Sequence, residues 1–246
     1  LHFGLLALGR LRPPRRAVRA CCLPVVQNLS ASIEQKTMKK KVSVMLNDES
    51  VISVKECQKR GIKADDVLGI VVQTPTVGIV VSLDESMLPW GNDKCLITSR
   101  YIEIEGLAER CGLEATKMIV ETQKNAGLEE TAAMWCWDYK KGGKQWYLPC
   151  MSELSALILC KEEVNDVCNI LNCSPLASAY YWSSTENNAN NAWNLNSNGN
   201  WNNNNKNNTN YVRSVFAHHN DAVYPKQARS LLSQMTALRK IYRKER

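Results

Sequence analysis

The sequence has few of the residues that build metal sites and disulfide frameworks. Its 246 residues include only three histidines, and its ten cysteines contain no C-x-x-C pair. Cys160, Cys168 and Cys173 are the most closely grouped thiols of the helical part, with seven and four residues between them. Zinc sites usually need shorter spacing to place two ligands on one ion. We therefore expect free, buried cysteines in a reducing compartment, and no metal or cofactor.

Long apolar runs are also missing. No stretch of about 18 apolar residues occurs, so we expect no membrane span. The first methionine is Met38, and our hypothesis is that translation starts there and that residues 1–37 are a non-native or disordered leader. The alternative is a start further upstream. No signal peptide follows Met38, which favours a cytoplasmic or virion-associated protein over a secreted one.

Positive charge is scarce in the body of the chain, although the formal net charge is +7. Residues 1–37 and the tail 218–246 each carry a net charge of +5, which leaves −3 between them. A nucleic-acid-binding protein needs a basic patch on its folded body. We therefore expect no nucleic-acid partner, and we interpret the tail as a basic extension with the residue spacing of a helix.

The residue pattern predicts mixed α and β structure. Residues 38–83 contain three β-branched runs of strand length and are predicted to form a small β-rich segment; residues 84–217 form the main domain. Helical spacing covers 114–125 and 129–139, and one long helix is predicted over 151–171.

Asparagine dominates the last part of this domain, at fifteen of the twenty-four residues from 187 to 210. A disordered polar tract has this composition. However, Trp193, Leu195 and Trp201 alternate with asparagines, which is the period of a half-buried strand. A three-residue loop at 197–199 would pair Leu195 with Trp201 and keep both on one face, so we predict this hairpin rather than a two-residue turn at Asn198 and Gly199.

In this hairpin we expect the aromatic residues to point inward and the amides to point outward. The predicted ligand-binding residues are Asn187, Asn188, Asn190, Asn191, Asn194, Asn196, Asn198, Asn200, Asn202, Asn204, Asn207 and Asn208. The residues predicted to support them are Trp182, Trp193, Leu195, Trp201 and Tyr211. An amide carpet offers donors and acceptors for binding but no nucleophile, base or metal ligand. We predict no catalytic residues here.

Four motifs follow one another in a recognisable order: "VSLDE...LPWG" at 81–91, "WYLPCMSEL" at 146–154, "YYWSSTE" at 180–186 and "NYVRSV" at 210–215. Together they resemble a bacterial family with a C-type-lectin-like fold. The resemblance implies an α+β fold of the formylglycine-generating-enzyme-like branch, with two helices against an antiparallel sheet and a variable C-terminal hairpin. The asparagine-rich version resembles the variable proteins of diversity-generating retroelements.

The resemblance implies a non-enzymatic protein whose asparagines are adjustable positions that recognise a protein or glycan ligand. A fixed-specificity, adhesin-type module is the alternative. A formylglycine-generating-type enzyme is the third possibility, with Cys136, Cys150 or Cys160 as a reactive thiol. Only Cys150 has the helix-start position that lowers a thiol pKa. Calcium is not expected, since Glu186 is the one acid of the variable part.

Overall fold

The computed structural model describes residues 40–92, 97 and 112–218. These residues build an α+β structure around one large sheet. The predicted leader at 1–37 lies outside the described residues, as does the predicted tail beyond His218. No helix in the described ranges combines the length and the apolar character needed to cross a bilayer.

The eight strands in the described part of the chain follow the β-branched and aromatic runs of the sequence. They are β1 (Lys41–Leu46), β2 (Val51–Ser53), β3 (Val67–Gln73), β4 (Gly78–Pro89), β5 (Tyr180–Glu186), β6 (Asn191–Asn196), β7 (Trp201–Asn205) and β8 (Thr209–Ala217). The three runs predicted in residues 38–83 correspond to β1, β3 and the first half of β4. Each is nearly all apolar, as expected for strands that are covered on both faces.

The strand order in the sheet is β2-β1-β3-β4-β8-β5-β6-β7. All neighbouring pairs are antiparallel except β5 and β8, which are parallel. The expectation of an antiparallel sheet is therefore wrong at this pair, and the sheet is mixed. The predicted boundary between residues 83 and 84 falls inside β4, so the β-rich segment and the main domain share the same sheet.

Five α-helices lie in the described residues, where the resemblance implied two. They are α1 (Val54–Arg60), α2 (Gly112–Asn125), α3 (Ala132–Asp138), α4 (Met151–Leu159) and α5 (Lys161–Leu171). The single helix predicted over 151–171 is wrong, because it breaks at Cys160 into α4 and α5. The Cys160 amide donates to the Leu157 carbonyl, which tightens the last turn of α4. The apolar spacing continues across this break, so periodicity alone does not reveal it.

Two hydrophobic clusters cover opposite faces of β5 and β6. Tyr181 and Leu195 belong to the larger cluster, together with apolar residues of β1, β3, β4, α4 and α5. Trp182 and Ala192, which alternate with them along the strands, belong to a smaller cluster with α2 and α3. This double cover fixes β6 in place. Strand β7, at the end of the sheet, has a neighbouring strand on one side only.

Candidate functional site

The asparagine-rich hairpin of β6 and β7 has the predicted register. Leu195 lies opposite Trp201, and Trp193 lies opposite Asn203. A shift of one residue would move every side chain of β7 to the other face. The pairing predicted from the sequence is therefore confirmed.

The turn of the hairpin is the predicted three-residue loop, 197–199. The Asn196 amide donates to the Asn200 carbonyl at 3.1 Å and closes it. Gly199 has a φ of 84°, the left-handed conformation that glycine adopts without a steric cost. Loop length and glycine position thus follow from placing the large side chains on one face.

The prediction that Trp201 points into the core is wrong. The register across the sheet places Met87, Tyr211, Tyr181, Leu195 and Trp201 in one row over five strands. Tyr181 and Leu195, in the middle, are buried, whereas Met87 is 57% and Trp201 62% exposed at the two ends. Helix α4 packs against β6, whereas neither hydrophobic cluster of the described residues includes a residue of the edge strand β7. The period of two shows which side chains share a face but not how far the cover extends.

Asn194 does not face solvent, which corrects its assignment as a ligand-binding residue. Its side chain is only 1% exposed, on the face of β6 where Ala192 packs into the smaller cluster. Within the part of the chain that the structure describes, neither its amide nitrogen nor its amide oxygen has a hydrogen-bond partner. An unpaired buried amide destabilises a fold by about 1–3 kcal/mol. The alternation of apolar residues and asparagines did not predict the exposure of Asn194 because both faces of β6 are covered.

The other predicted site residues differ in exposure. Asn188, Asn190, Asn198, Asn200, Asn202, Asn207 and Asn208 are exposed, and Asn187, Asn191, Asn196 and Asn204 are half-buried. Of the predicted supporting residues, Trp182 and Leu195 are buried, and Trp193 and Tyr211 are half-buried. The Tyr211 ring lies 5.6 Å from that of Tyr181, between ring centroids.

Four asparagines of the tract hold its turns. The Asn188 side-chain oxygen accepts the amides of residues 190 and 191, and that of Asn196 accepts the amides of residues 198 and 200. Asn204 and Asn205 accept the amides of residues 205 and 207 in the same way. Short amide side chains favour turns through such local bonds. These four asparagines shape the surface.

Lys206 anchors the tract to the body of the protein, and our sequence reasoning missed it. Its ammonium group is fully buried and forms an ion pair with the buried carboxylate of Glu186. It also donates to the Ala189 carbonyl at 3.0 Å and lies 4.7 Å from the centre of the Trp90 ring. A buried charge is tolerated when it is paired and hydrogen-bonded. The signal available in the sequence was that Lys206 is the single charged residue of the tract and that Glu186 directly precedes the tract.

Further hydrogen bonds hold the residues around this ion pair. The backbone amide of Ile97 donates to both Glu186 oxygens, at 2.9 and 3.0 Å. The indole of Trp90 donates to the Ser183 carbonyl at 2.8 Å, and the Gly91 amide donates to the Lys206 carbonyl at 3.1 Å. The segment after β4 and the segment after β7 are thereby tied together at the end of the hairpin that lies away from its turn.

The first of the central motifs, "WYLPCMSEL", is structural. Glu153 is buried, and its carboxylate accepts the Tyr147 hydroxyl at 2.8 Å and the Cys150 amide at 2.9 Å, which closes the start of α4. The Pro149 carbonyl accepts the Ser184 amide at 2.8 Å. The motif thus connects α4 to β5, the strand that adjoins the hairpin.

Arg213 of the "NYVRSV" motif donates hydrogen bonds to the backbone of β4 where that strand is irregular. The pairing of β4 with β8 shifts between Val81 and Glu85, which frees the carbonyls of Ser82 and Leu83. The buried Arg213 guanidinium donates to these carbonyls at 3.2 and 2.8 Å and lies 3.3 Å from the Glu85 carboxylate. Only a planar group with several donors serves all of these acceptors.

The cysteines considered as reactive thiols are buried. Burial raises the pKa of Cys136 to about 12, and burial also raises the pKa of Cys150 and Cys160 above the usual range. The position of Cys150 at a helix start does not outweigh its burial. A nucleophilic thiol needs the opposite shift and an accessible position. Among the described residues, no group of three His, Cys, Asp or Glu side chains is placed to hold a metal ion.

No protein-family model matches this chain, and no curated protein matches it. A solved structure described as a fimbrial protein from Bacteroides ovatus ATCC 8483 is similar in fold, with a TM-score of 0.56 and 17% sequence identity. The similarity covers 72% of this chain and 48% of that protein, so the chain spans about half of its length. At this identity the likeness concerns the fold alone. It agrees with an α+β architecture, and the C-type-lectin-like branch stays a prediction.

Proposed function

We propose that this chain is a non-catalytic, adhesin-type recognition module whose binding surface is the asparagine-rich hairpin. The observation that carries the proposal is that this segment is exposed and yet anchored. Seven predicted site asparagines are exposed, while Lys206, directly after β7, joins the segment to Glu186 through a fully buried ion pair. A surface held in this way presents its side chains at a low entropic cost of binding.

The chemistry of the exposed side supports binding. Amide side chains adapt to donors and acceptors alike, and a neighbouring tryptophan supplies contact area with few rotatable bonds. Antibody paratopes combine residues in the same way. The fold similarity to a fimbrial protein fits an adhesin-type module, and the motif residues act in this chain as structural supports.

We propose further that the surface is diversifiable, as in the variable proteins of diversity-generating retroelements. On this proposal the exposed positions would accept other side chains, whereas Asn196 and Asn204, which shape turns, and Lys206, which anchors the segment, would be kept. Genomic sequence tests this. A neighbouring reverse-transcriptase gene and a near-repeat of this segment that differs only at adenines support diversification. Their absence leaves the fixed-specificity adhesin.

A matched pair of variants tests the binding surface itself. The hairpin variant carries alanine at Asn198, Asn200 and Asn202; the control variant carries alanine at Gln58, Asn125 and Asn169, three exposed amides on helices. Labelled proteins are applied to arrays of oligosaccharides and of purified cell-surface proteins. We expect the hairpin variant alone to lose the binding of the unmodified chain. Equal binding by all three proteins would refute the proposed surface.

A further inference from the structure

We infer that the ligand of this surface is an electrically neutral glycan and that Trp201 is the platform on which a sugar ring packs. This inference rests on the proposed function and names its ligand class. It begins from Trp201, which is 62% exposed although a tryptophan side chain usually contributes more to stability when it is buried.

Amide side chains without an internal partner flank this indole along the chain. The side chains of Asn198, Asn200, Asn202 and Asn203 form no hydrogen bond to the described part of the chain, in contrast to those of the turn-shaping asparagines. All four are exposed and lie within three residues of Trp201. Asn203 shares its face of β7, two residues along the strand. Asn203 is therefore the free amide on the same face as the exposed ring, whereas Asn202, opposite Asn194, lies on the other face.

The charge of the surface selects the class of ligand. Between residues 187 and 210 the only charged side chain is Lys206, and its ammonium is fully buried against Glu186. The exposed side of the hairpin therefore carries no formal charge. It offers no cation to an acidic polysaccharide or to nucleic acid, whose binding depends on such charges. A neutral partner needs no charged side chain for its binding, so this surface suits it.

A sugar ring matches what remains. Each hydroxyl group donates and accepts hydrogen bonds, as does each amide side chain, so the two pair without a charge on either side. The C–H face of a pyranose ring is apolar and fits against an exposed indole. Protein interfaces, in comparison, are enriched in arginine, methionine and several aromatic residues at their centre. Here one indole lies among small amides, and we therefore favour the glycan over a protein ligand.

An array of immobilised oligosaccharides tests the inference. It contains neutral glucans, mannans and N-acetylated sugars beside sialylated, uronate-containing and sulfated ones, and is read at low and at high salt. We expect binding to neutral members that does not fall with salt, because screening acts only on charges. The affinity for a soluble neutral oligosaccharide from the array is then measured by isothermal titration calorimetry, whose signal does not depend on Trp201.

Three variants complete the test. Trp201→Ala is expected to weaken binding about tenfold or more, and Trp201→Phe to retain part of it. Met87→Ala is the control, because Met87 is the other exposed apolar residue of the same row, at its far end. Circular dichroism establishes that each variant is folded.

The opposite results would overturn the inference: preference for acidic sugars with loss at high salt, neutral binding that Trp201→Ala leaves unchanged, or no neutral sugar bound. A protein ligand that the hairpin variant fails to bind would overturn the glycan assignment and leave the proposed function standing. If the hairpin variant binds every ligand as the unmodified chain does, the proposed function fails as well.

Discussion

Replacement of Lys206 by methionine tests the anchor of the hairpin. The change keeps most of the side-chain volume and removes the ammonium group, which leaves the Glu186 carboxylate buried with the Ile97 amide as a donor. Removal of one partner of a buried ion pair typically costs about 3–5 kcal/mol. For a chain of this size, each kcal/mol lowers the melting temperature by roughly 2–4 °C. We therefore expect Lys206→Met to melt about 6–20 °C lower than the unmodified protein.

The assay is thermal and denaturant unfolding of four proteins: the unmodified chain, Lys206→Met, Glu186→Gln, and the double variant. Because the two side chains are in contact, the double variant should lose less stability than the sum of the single variants. Additive losses, or a loss below about 1 kcal/mol for Lys206→Met, would refute the argument that this pair holds the tract.

Three further predictions concern the structure around the surface. Arg213→Lys should lower the free energy of unfolding by about 2–3 kcal/mol, because the planar guanidinium donates to the carbonyls of Ser82, Leu83 and Ser174 in a geometry that a single ammonium group does not reproduce; chemical denaturation measures this loss. Asn194→Ala should raise the free energy of unfolding by about 1 kcal/mol, because it removes buried amide atoms that have no partner. The control Asn196→Ala should lower it by about 1 kcal/mol, because two hydrogen bonds of the turn are lost. The reverse order of stabilities would contradict both assignments. Burial raises the pKa of Glu153 above its ordinary 4.5 in the folded state, so the stability linked to this group is full below pH 4.5 and falls as the pH rises through the raised value. Glu153→Gln should flatten this part of the stability profile, and an unchanged slope would show that another group titrates there.

The strands that contain β-branched runs were predictable from sequence. Strands β1 and β3 begin at the residues where these runs begin, because short apolar runs of this composition form covered strands. The register of β6 and β7 was predictable for a different reason. Placing Leu195 and Trp201 on one face favours the three-residue loop over a two-residue turn, and a glycine stands where that loop needs a left-handed residue.

The sequence did not reveal which faces of β6 and β7 are covered by other parts of the protein, or how far along the sheet this cover extends. Strand β6 alternates apolar residues with asparagine, and β7 has Trp201 followed by four asparagines; contrary to the prediction, Asn194 is buried and Trp201 is exposed. The difference comes from helix packing on β6 and from the position of β7 at the end of the sheet, both of which depend on segments far away in the chain. Periodicity contains no information about these segments.

The ion pair of Lys206 and Glu186 shows a different limit. Its two members are twenty residues apart, and nothing local to either one predicts that both are buried. The usable signal was the charge of the tract. Glu186 is the single acid before it and Lys206 the single base within it, and such an isolated pair of opposite charges favours an ion pair. The polar and neutral character of the tract was thus easier to predict than the ion pair that joins it to the rest of the protein.

Hydrogen–deuterium exchange over residues 191–205 tests most directly whether the asparagine tract is a folded, anchored surface. The account predicts that the amides of β6 paired with β7 exchange slowly, with protection comparable to that of β3 and β4, and that Lys206→Met accelerates exchange in this hairpin first. Exchange at the rate of an unfolded peptide throughout 191–205 in the unmodified protein would contradict it.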